Sequence, residues 1–379
     1  MLSKVVMMML ATKEKFGLDD SYRGKVALGI TYGYNFQNSK TNRFELLDAI
    51  KGIRGMAKQR VSNCMNFITR DGNRSVDVIK SESGVRFEGV TVCDSVWLCP
   101  VCNSRVMNQH KHELDLAVRD SDYHTVLMTF TLAHSVNDRL KDLEDLLKSS
   151  LNSTFSGRWY EEFQARYKIV ARATTTEHTH SDNNGWHPHI HILAFCEENP
   201  NASLMKSELS ERFTRFVMKK GGYASIYHAV DVRNTKRDVS GYLSKWNIPT
   251  EMTRLQAKSA KGVSLTIWEI AQLAGNGNEK YIRLWNEYVA ATYRKKLFTW
   301  SRGAKELLGL DDVEKKLEEK LANEEKALIV SLTVSEWNFI LNHKLVALVH
   351  HLAMNGGAKA INEMMTRIRG IPLENYDVS

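Results

Sequence analysis

The sequence predicts an α+β protein in which helices flank a central antiparallel sheet. Runs rich in β-branched and apolar residues predict strands at residues 124–133, 167–178, 187–196 and 223–232. Leucines and other apolar residues at helical spacing predict helices at residues 138–155 and 203–219. The second and third strands are separated only by the polar linker Thr179–Gly185, so we expect them to pair as a hairpin at the centre of the sheet.

The 379 residues are predicted to divide into four segments, and 43% apolar with 25% charged residues is the composition of a folded protein. The segments are a partly helical N-terminal region (1–60, with a helix over 44–58), a cysteine-rich module (61–120, with short strands near 76–79 and 85–87 and a helix over about 104–119), the sheet domain (121–250) and a helical C-terminal region (251–379).

The charge balance favours a polyanionic partner. The chain has 52 Lys and Arg residues against 44 Asp and Glu residues, a net charge of +8, which suits nucleic acid. No stretch approaches about 18 consecutive apolar residues, so the sequence predicts no membrane span. A short apolar run near the start lacks a small-residue cleavage pattern, and we therefore expect a cytoplasmic protein.

Four of the five cysteines fall in one region, and we predict that they bind a structural Zn²⁺. They are Cys64, Cys93, Cys99 and Cys102. The CxxC spacing of the last pair directs two thiolates at one metal, and the other two can complete a tetrahedral site that leaves no open position for catalysis. The alternatives are buried structural thiols, a redox-active pair, or His110 or His112 in place of one cysteine.

A second candidate metal site lies on the predicted hairpin. Alternate residues of a strand face the same side, so His189 and His191 share one face. Glu177 and His189 are equidistant from Asn183, so a symmetric hairpin places the carboxylate opposite His189. Two imidazoles and one carboxylate leave coordination positions for water or substrate, as a Lewis-acid metal requires. The alternative is an ordinary pair of histidines on an exposed strand.

Tyr242 is the candidate nucleophile. A helix over this segment would place Asp238, Tyr242 and Lys245 on one face. A tyrosine beside a metal can attack phosphorus, and a lysine can neutralise charge in the transition state. The alternative is an interfacial tyrosine on an amphipathic helix.

The segment around this tyrosine is basic and aromatic, which suits single-stranded nucleic acid. Residues 205–245 contain nine Lys and Arg residues against four Asp and Glu residues, interleaved with Phe and Tyr. Arg233, Lys236 and Arg237 are predicted DNA contacts.

These motifs, in this order, resemble those of the rolling-circle replication initiator (Rep) proteins of small bacterial plasmids, in the single-tyrosine branch of the HUH endonuclease superfamily. Thr129–Leu132 looks like the first motif of that family, Glu177 with Gly185–Leu193 like its metal-binding motif, and Tyr242–Lys245 like its tyrosine motif. Cys93–Cys102 is similar to the cysteine-rich module that precedes the endonuclease core. The resemblance covers roughly residues 60–305.

The resemblance implies an HUH endonuclease-like fold and a role for each candidate residue. Glu177, His189 and His191 would bind Mg²⁺ or Mn²⁺. Tyr242 would attack a phosphodiester of single-stranded or cruciform origin DNA, which leaves a 5′-phosphotyrosine link and a free 3′-OH. Lys245 would assist at the phosphate, and Asp238, where the family more often has glutamate, would activate water for termination. A host helicase and a host DNA polymerase are the implied partners.

Three other functions remain open on the sequence. A zinc-containing DNA-binding protein without catalysis would not need Tyr242. A relaxase or single-strand transposase would share the chemistry, but relaxases usually place the tyrosine before the histidine motif, and such transposases are usually shorter and lack the cysteine module. A metal-dependent hydrolase of small phosphate esters would not explain the basic, aromatic segment.

Overall fold

The computed structural model describes residues 39–68, 75–81, 84–235, 264–313, 319 and 325–369. Its strands are β1 (Ser75–Ser81), β2 (Gly84–Glu88), β3 (His124–Thr131), β4 (Ile169–Ser181), β5 (Gly185–Cys196), β6 (Val230–Thr235), β7 (Leu265–Thr266), β8 (Phe298–Trp300) and β9 (Ala327–Thr333). Its helices are α1 (Ser39–Lys51), α2 (Pro100–Asp120), α3 (Leu140–Thr154), α4 (Gly157–Arg166), α5 (Ala202–Lys219), α6 (Ile267–Gly275), α7 (Glu279–Thr292), α8 (Ala304–Leu307), α9 (Val334–Asn342), α10 (Val346–Asn355) and α11 (Gly357–Arg369). The predicted α+β class, with antiparallel sheets flanked by helices, is confirmed.

The larger sheet has the strand order β6-β3-β5-β4-β7, and β8 also pairs with β4. Strands β4 and β5 form the predicted hairpin, in which Ser181 lies opposite Gly185 at the turn. Glycine is needed at this turn because Gly185 has a φ of 74° and a Cβ there would lie 2.8 Å from the carbonyl oxygen of Ser135. The chain after β3 therefore packs directly on the end of the hairpin that carries the histidines.

The two faces of this sheet are covered by different helices. On one face, residues such as Met128 and Phe130 pack in a core with residues of α3 and α5. On the other face, Leu127 and Leu193 pack with the C-terminal half of α2. Because side chains alternate along a strand, the side chains of His189 and His191 lie on the same face as Leu193 and α2.

The smaller sheet joins the cysteine-rich region to the C-terminal part of the chain. Its order is β2-β1-β9, and all pairs are antiparallel. Helix α1 packs on α10, so the segments before and after the larger sheet share one core. The C-terminal segment is mainly helical, as predicted, but it also supplies β7, β8 and β9, which the sequence did not predict. The segment boundaries at 60, 120 and 250 stay predictions.

Most predicted elements differ from the structure by a few residues at their ends, and two differ by more. The helix predicted over residues 44–58 ends at Lys51, because Gly52 follows and Gly55 adopts a φ of 100°. The strand predicted over residues 223–232 begins only at Val230. Residues 221–229 form a loop instead, which starts at Gly221 with a φ of 83°.

None of the helices in the described ranges has both the length and the apolar character that a membrane crossing requires.

Glu113 connects α2 to strand β8 and helix α8 through side-chain hydrogen bonds. Its fully buried carboxylate accepts hydrogen bonds from Trp300 Nε1 (2.9 Å) and Lys305 Nζ (2.7 Å), and it contacts His110 Nδ1 at 3.0 Å. Burial alone would raise the pKa of Glu113, but the hydrogen bonds from His110, Lys305 and Trp300 outweigh burial and lower the pKa to about 2. The ionised carboxylate therefore stabilises the folded protein.

Glu113→Gln is expected to reduce the free energy of unfolding by about 3 kcal/mol at pH 7, because Lys305 loses its buried counterion. The folded-state pKa lies below the unfolded value, so this stabilisation is present above about pH 4.5 and is lost as the pH falls towards 2. Urea denaturation of both proteins at pH 7 and pH 3 measures the difference. Glu306→Gln, at an exposed position of α8, is the control. Equal differences at the two pH values would contradict the assignment.

Candidate metal and nucleic-acid site

The hairpin register places Glu177 opposite His189, as predicted, and Thr175 opposite His191. His191 Nε2 lies 3.1 Å from Glu177 Oε2. The rings of His189 and His191 are nearly parallel, with centroids 5.9 Å apart. The structure thus brings together the three residues that were predicted as metal ligands.

Two threonines of β3 orient the histidines of β5. Thr129 Oγ1 lies 3.0 Å from His191 Nδ1, which leaves Nε2 of that ring directed at Glu177. The Thr131 hydroxyl donates to the carbonyl oxygen of Pro188 (3.1 Å) and accepts from His187 Nε2 (2.8 Å). Sequence reasoning assigned these threonines to a motif but missed their contacts, which depend on the pairing of β3 with β5.

The environment of His189 favours the form that binds a metal. Burial lowers the pKa of His189 to about 4, so its imidazole is neutral at ordinary pH. Its Nδ1 atom is buried and makes no hydrogen bond to any residue in the described ranges. Burial also lowers the pKa of the adjacent His187 to about 3. A neutral ring with an unused nitrogen, beside a second imidazole and a carboxylate, fits a divalent cation.

Thr129→Val is expected to lower the affinity of this site for Mn²⁺ by about 10-fold to 100-fold, because His191 loses the hydrogen bond that fixes its ring. Calorimetric titration of the full-length protein with Mn²⁺ measures the change. Thr125→Val, on the same strand but bonded to Thr235, is the matched control. Equal affinity in the Thr129 and Thr125 variants would contradict the orienting role.

The four predicted cysteines form a buried cluster that could bind a metal ion. Their Sγ atoms lie within 4.8 Å of one another, with Sγ–Sγ distances of 3.8 Å for Cys64–Cys102, 3.6 Å for Cys93–Cys102 and 3.5 Å for Cys64–Cys99. A tetrahedron with metal–sulfur distances of about 2.3 Å has edges of about 3.8 Å. All four are free thiols and not disulfides. Among the described residues, this group is gathered more tightly than Glu177, His189 and His191.

Local backbone geometry aims the thiols at one point. Cys99 is the N-cap of α2, and its Sγ accepts a hydrogen bond from the backbone N–H of Cys102. Met65 and Asp94, which follow the other two cysteines, adopt positive φ values of 68° and 51°. The alternative ligand His110 lies elsewhere, stacked on Phe298 at a centroid distance of 4.2 Å. The structure therefore favours four sulfur ligands.

Two half-buried cations of α1 border the cysteine cluster. Lys51 Nζ donates to the carbonyl oxygen of Cys64 at 2.6 Å. Burial lowers the pKa of Arg43 to about 10, which the nearby Cys99 partly opposes, so this side chain stays charged. Their positive charge would offset the negative charge of a metal bound by four thiolates.

The tyrosine motif lies outside the described residues. Asp238, Tyr242 and Lys245 belong to it, and Lys236 and Arg237 lie outside as well. Arg233, the remaining predicted DNA contact, is exposed at the end of β6, and its Nε pairs with Asp231 Oδ2 at 2.5 Å. These assignments stay predictions.

An aromatic loop, in a segment where the sequence predicts a strand, is attached to the end of β3. Tyr223 and Tyr227 are 62% and 77% exposed. The loop is fixed to the end of β3, since the carbonyl oxygen of Tyr223 accepts from Ala133 N and that of Ala229 accepts from Thr131 N. The loop that carries these two exposed phenol rings is therefore attached through its backbone to the end of β3.

The described residues define an antiparallel α+β protein with a closed cysteine site and a more open histidine–carboxylate site. The chain is 25% identical over 295 residues to a protein named Protein rep from Streptomyces lividans, a match that covers 59% of this chain and 65% of that relative. It is 28% identical over 132 residues to a protein named Neomycin resistance protein from Streptomyces cyanogenus, which covers 28% of this chain and 30% of that relative. No family model and no solved structure matches the chain. The predicted resemblance to Rep proteins is thus confirmed by similarity to one of them.

Proposed function

We propose that the protein initiates plasmid rolling-circle replication by nicking and rejoining origin DNA. The observation that carries the proposal is the meeting of Glu177, His189 and His191 on one face of the central hairpin, in a chain that is similar to a Rep protein. Such a site can activate a phosphodiester for attack. We expect the protein to act in the cytoplasm, together with a host helicase and a host DNA polymerase.

Each site is assigned the metal that suits its ligands. Imidazole and carboxylate donors suit Mn²⁺ and accept Mg²⁺, and either ion would polarise a DNA phosphate. Glu177 supplies the charged ligand, and His189 supplies a nitrogen that no described residue occupies. The four cysteines are proposed to hold a structural Zn²⁺, since thiolates favour that ion.

Tyr242 is the proposed nucleophile. Its oxygen would bond to the phosphorus while the bond from phosphorus to the 3′-oxygen breaks, which leaves a 5′-phosphotyrosine link and a 3′-OH that primes synthesis. Lys245 would neutralise charge on the phosphate. Asp238 would activate the water that ends the cycle.

The proposed substrate at the nick is single-stranded, as in single-stranded or cruciform origin DNA. The exposed rings of Tyr223 and Tyr227 beside β3 support this choice, because bases stack on such rings. The segment from residue 212 to residue 230 has four Lys and Arg residues and no Asp or Glu. Arg233, Lys236 and Arg237 are the proposed phosphate contacts that follow it.

Tyr227→Ala is expected to weaken binding of a single-stranded oligonucleotide by about 5-fold to 100-fold, which corresponds to the loss of one stacked base. Tyr227→Phe keeps the ring and is expected to bind like the unmodified protein. Fluorescence anisotropy in EDTA measures binding without cleavage. Equal weakening by both substitutions would argue against stacking.

A covalent-adduct assay tests the nicking proposal. The protein is incubated with Mn²⁺ and single-stranded oligonucleotides that contain the origin of its replicon. We expect a slowly migrating protein–DNA band that disappears with EDTA and with Tyr242→Phe. A band that persists in Tyr242→Phe would assign the nucleophile to another residue.

The second candidate function is a zinc-containing, sequence-specific DNA-binding protein without catalysis. The preformed cysteine cluster favours this candidate, because it needs no second metal. It predicts tight binding of origin DNA without added divalent metal and no adduct under any metal condition. That pair of results would replace the nicking proposal.

A further inference from the structure

A cavity of about 600 Å³ opens on the face of the larger sheet opposite the histidine site. Arg172 and Thr174 of β4 line it, and they alternate along the strand with Thr175 and Glu177, whose side chains lie on the other face. Strand β5, helix α3 and the chain from the end of α7 through β8 form the remaining walls. The cavity is therefore separate from the proposed nicking site.

Positive charge dominates this cavity. Its cationic lining residues are Lys148, Arg172, Arg294, Lys295 and Lys296. The lining carboxylate, Glu144, pairs with Lys295 at 3.1 Å, and Lys295 also contacts Asp145 at 2.9 Å. The other four cations form no ion pair with any residue in the described ranges, although Lys148 lies close enough to Glu144 to favour its ionised form. A cavity with uncompensated cations suits an anionic ligand.

Arg172 is held in place with its donors unused. Its guanidinium lies over the rings of Phe155 and Tyr160, at 4.8 Å and 4.9 Å from their centroids. Its backbone N–H donates to Ser301 Oγ and its carbonyl oxygen accepts from Ser301 N, but its side chain donates no hydrogen bond within the described ranges. Burial lowers the pKa of Arg172, as expected for a cation without a carboxylate partner.

Arg212 is a useful comparison, because its side chain has a purely structural role. Arg212 also lies over aromatic rings, at 4.3 Å from the centroid of Trp159. Its Nε and Nη2 donate to the carbonyl oxygens of Thr154 and Ser156 at 3.0 Å each. Arg212 thus uses its donors to join α3 to α5, whereas the donors of Arg172 remain available to a ligand.

We propose that this cavity binds the phosphate of a nucleotide, either free or within a DNA strand. A guanidinium fixed in orientation can donate two parallel hydrogen bonds to a phosphate, and lysines on the walls add point charges. The volume lies within the range of small-molecule sites and accommodates a nucleotide. The proposal goes beyond nicking, because binding here needs neither Tyr242 nor a divalent metal.

Binding measurements in EDTA test this site on the full-length protein. The probes are inorganic phosphate, ATP and a single-stranded oligonucleotide, and the variants are Arg172→Gln and Lys296→Gln. We expect each substitution to weaken binding of a phosphate-bearing probe by about 10-fold. Lys58→Gln removes one positive charge at an exposed position that does not line the cavity. It is the control and should bind like the unmodified protein.

The outcomes separate the two sources of phosphate. Weaker binding of ATP by the cavity variants assigns the site to free nucleotides, whereas a loss confined to the oligonucleotide assigns it to the DNA strand. If Arg172→Gln does not fold, Lys148→Gln and Lys296→Gln decide, since both lie on the cavity walls outside the core. Folded cavity variants that bind all three probes like the Lys58 control would overturn the proposal.

Discussion

Glu177→Gln is expected to lower the rate of origin nicking at least about 100-fold. The amide has the shape of the carboxylate, so the hairpin register opposite His189 is retained. It lacks the negative charge that attracts the cation, and it no longer places a carboxylate oxygen beside His191 Nε2. Loss of a partner that merely orients a metal ligand already costs about 10-fold to 100-fold, and loss of a ligand should cost at least as much.

Single-turnover cleavage of an origin oligonucleotide at saturating Mn²⁺ measures this effect. Glu197→Gln is the matched control, because Glu197 is exposed immediately after β5 and away from the histidines. Oligonucleotide binding in EDTA should be similar in both variants, which separates a catalytic defect from a folding defect. A nicking rate in Glu177→Gln within twofold of the control would remove Glu177 from the mechanism.

The hairpin was predictable because its evidence is local. A period of two in β5 and a short polar turn are enough to place Glu177 opposite His189, and the structure has that register. The cysteine cluster was predictable from spacing and ligand chemistry alone, although its members are up to 38 residues apart.

Features that depend on distant pairings were not predictable in this way. The contact between Thr129 and His191 joins residues 62 positions apart, and nothing in either strand specifies its partner. Strand β9 pairs with β1 across about 250 residues, and no local feature of that segment beyond a short apolar run predicts a strand. The loop at Tyr223 and Tyr227 has strand-like composition, but the two glycines before it turn the chain.

Cys99→Ala is expected to abolish stoichiometric metal binding at the cysteine cluster and to lower the melting temperature by at least about 10 °C. Cys99 is fully buried, caps α2 and lies 3.5 Å from Cys64 Sγ. Structural zinc sites contribute about 10–16 kcal/mol of apparent binding free energy, which is comparable to the stability of a whole domain. Loss of one of the four ligands should therefore remove a large part of the free energy that stabilises the packing of α1, α2 and β1.

The control for this substitution is Cys196→Ala. Cys196 is equally buried but lies at the end of β5, in contact with the core and not with the cluster. Elemental analysis should find one zinc per chain in the unmodified protein and in Cys196→Ala, and much less than one in Cys99→Ala. Thermal unfolding should likewise give a lower melting temperature for Cys99→Ala than for the other two proteins. A chelator should lower the melting temperature of those two. If the unmodified protein holds no metal and a chelator leaves its melting temperature unchanged, the four cysteines are buried structural thiols, and the stability of this region rests on the shared apolar core of α1 and α10.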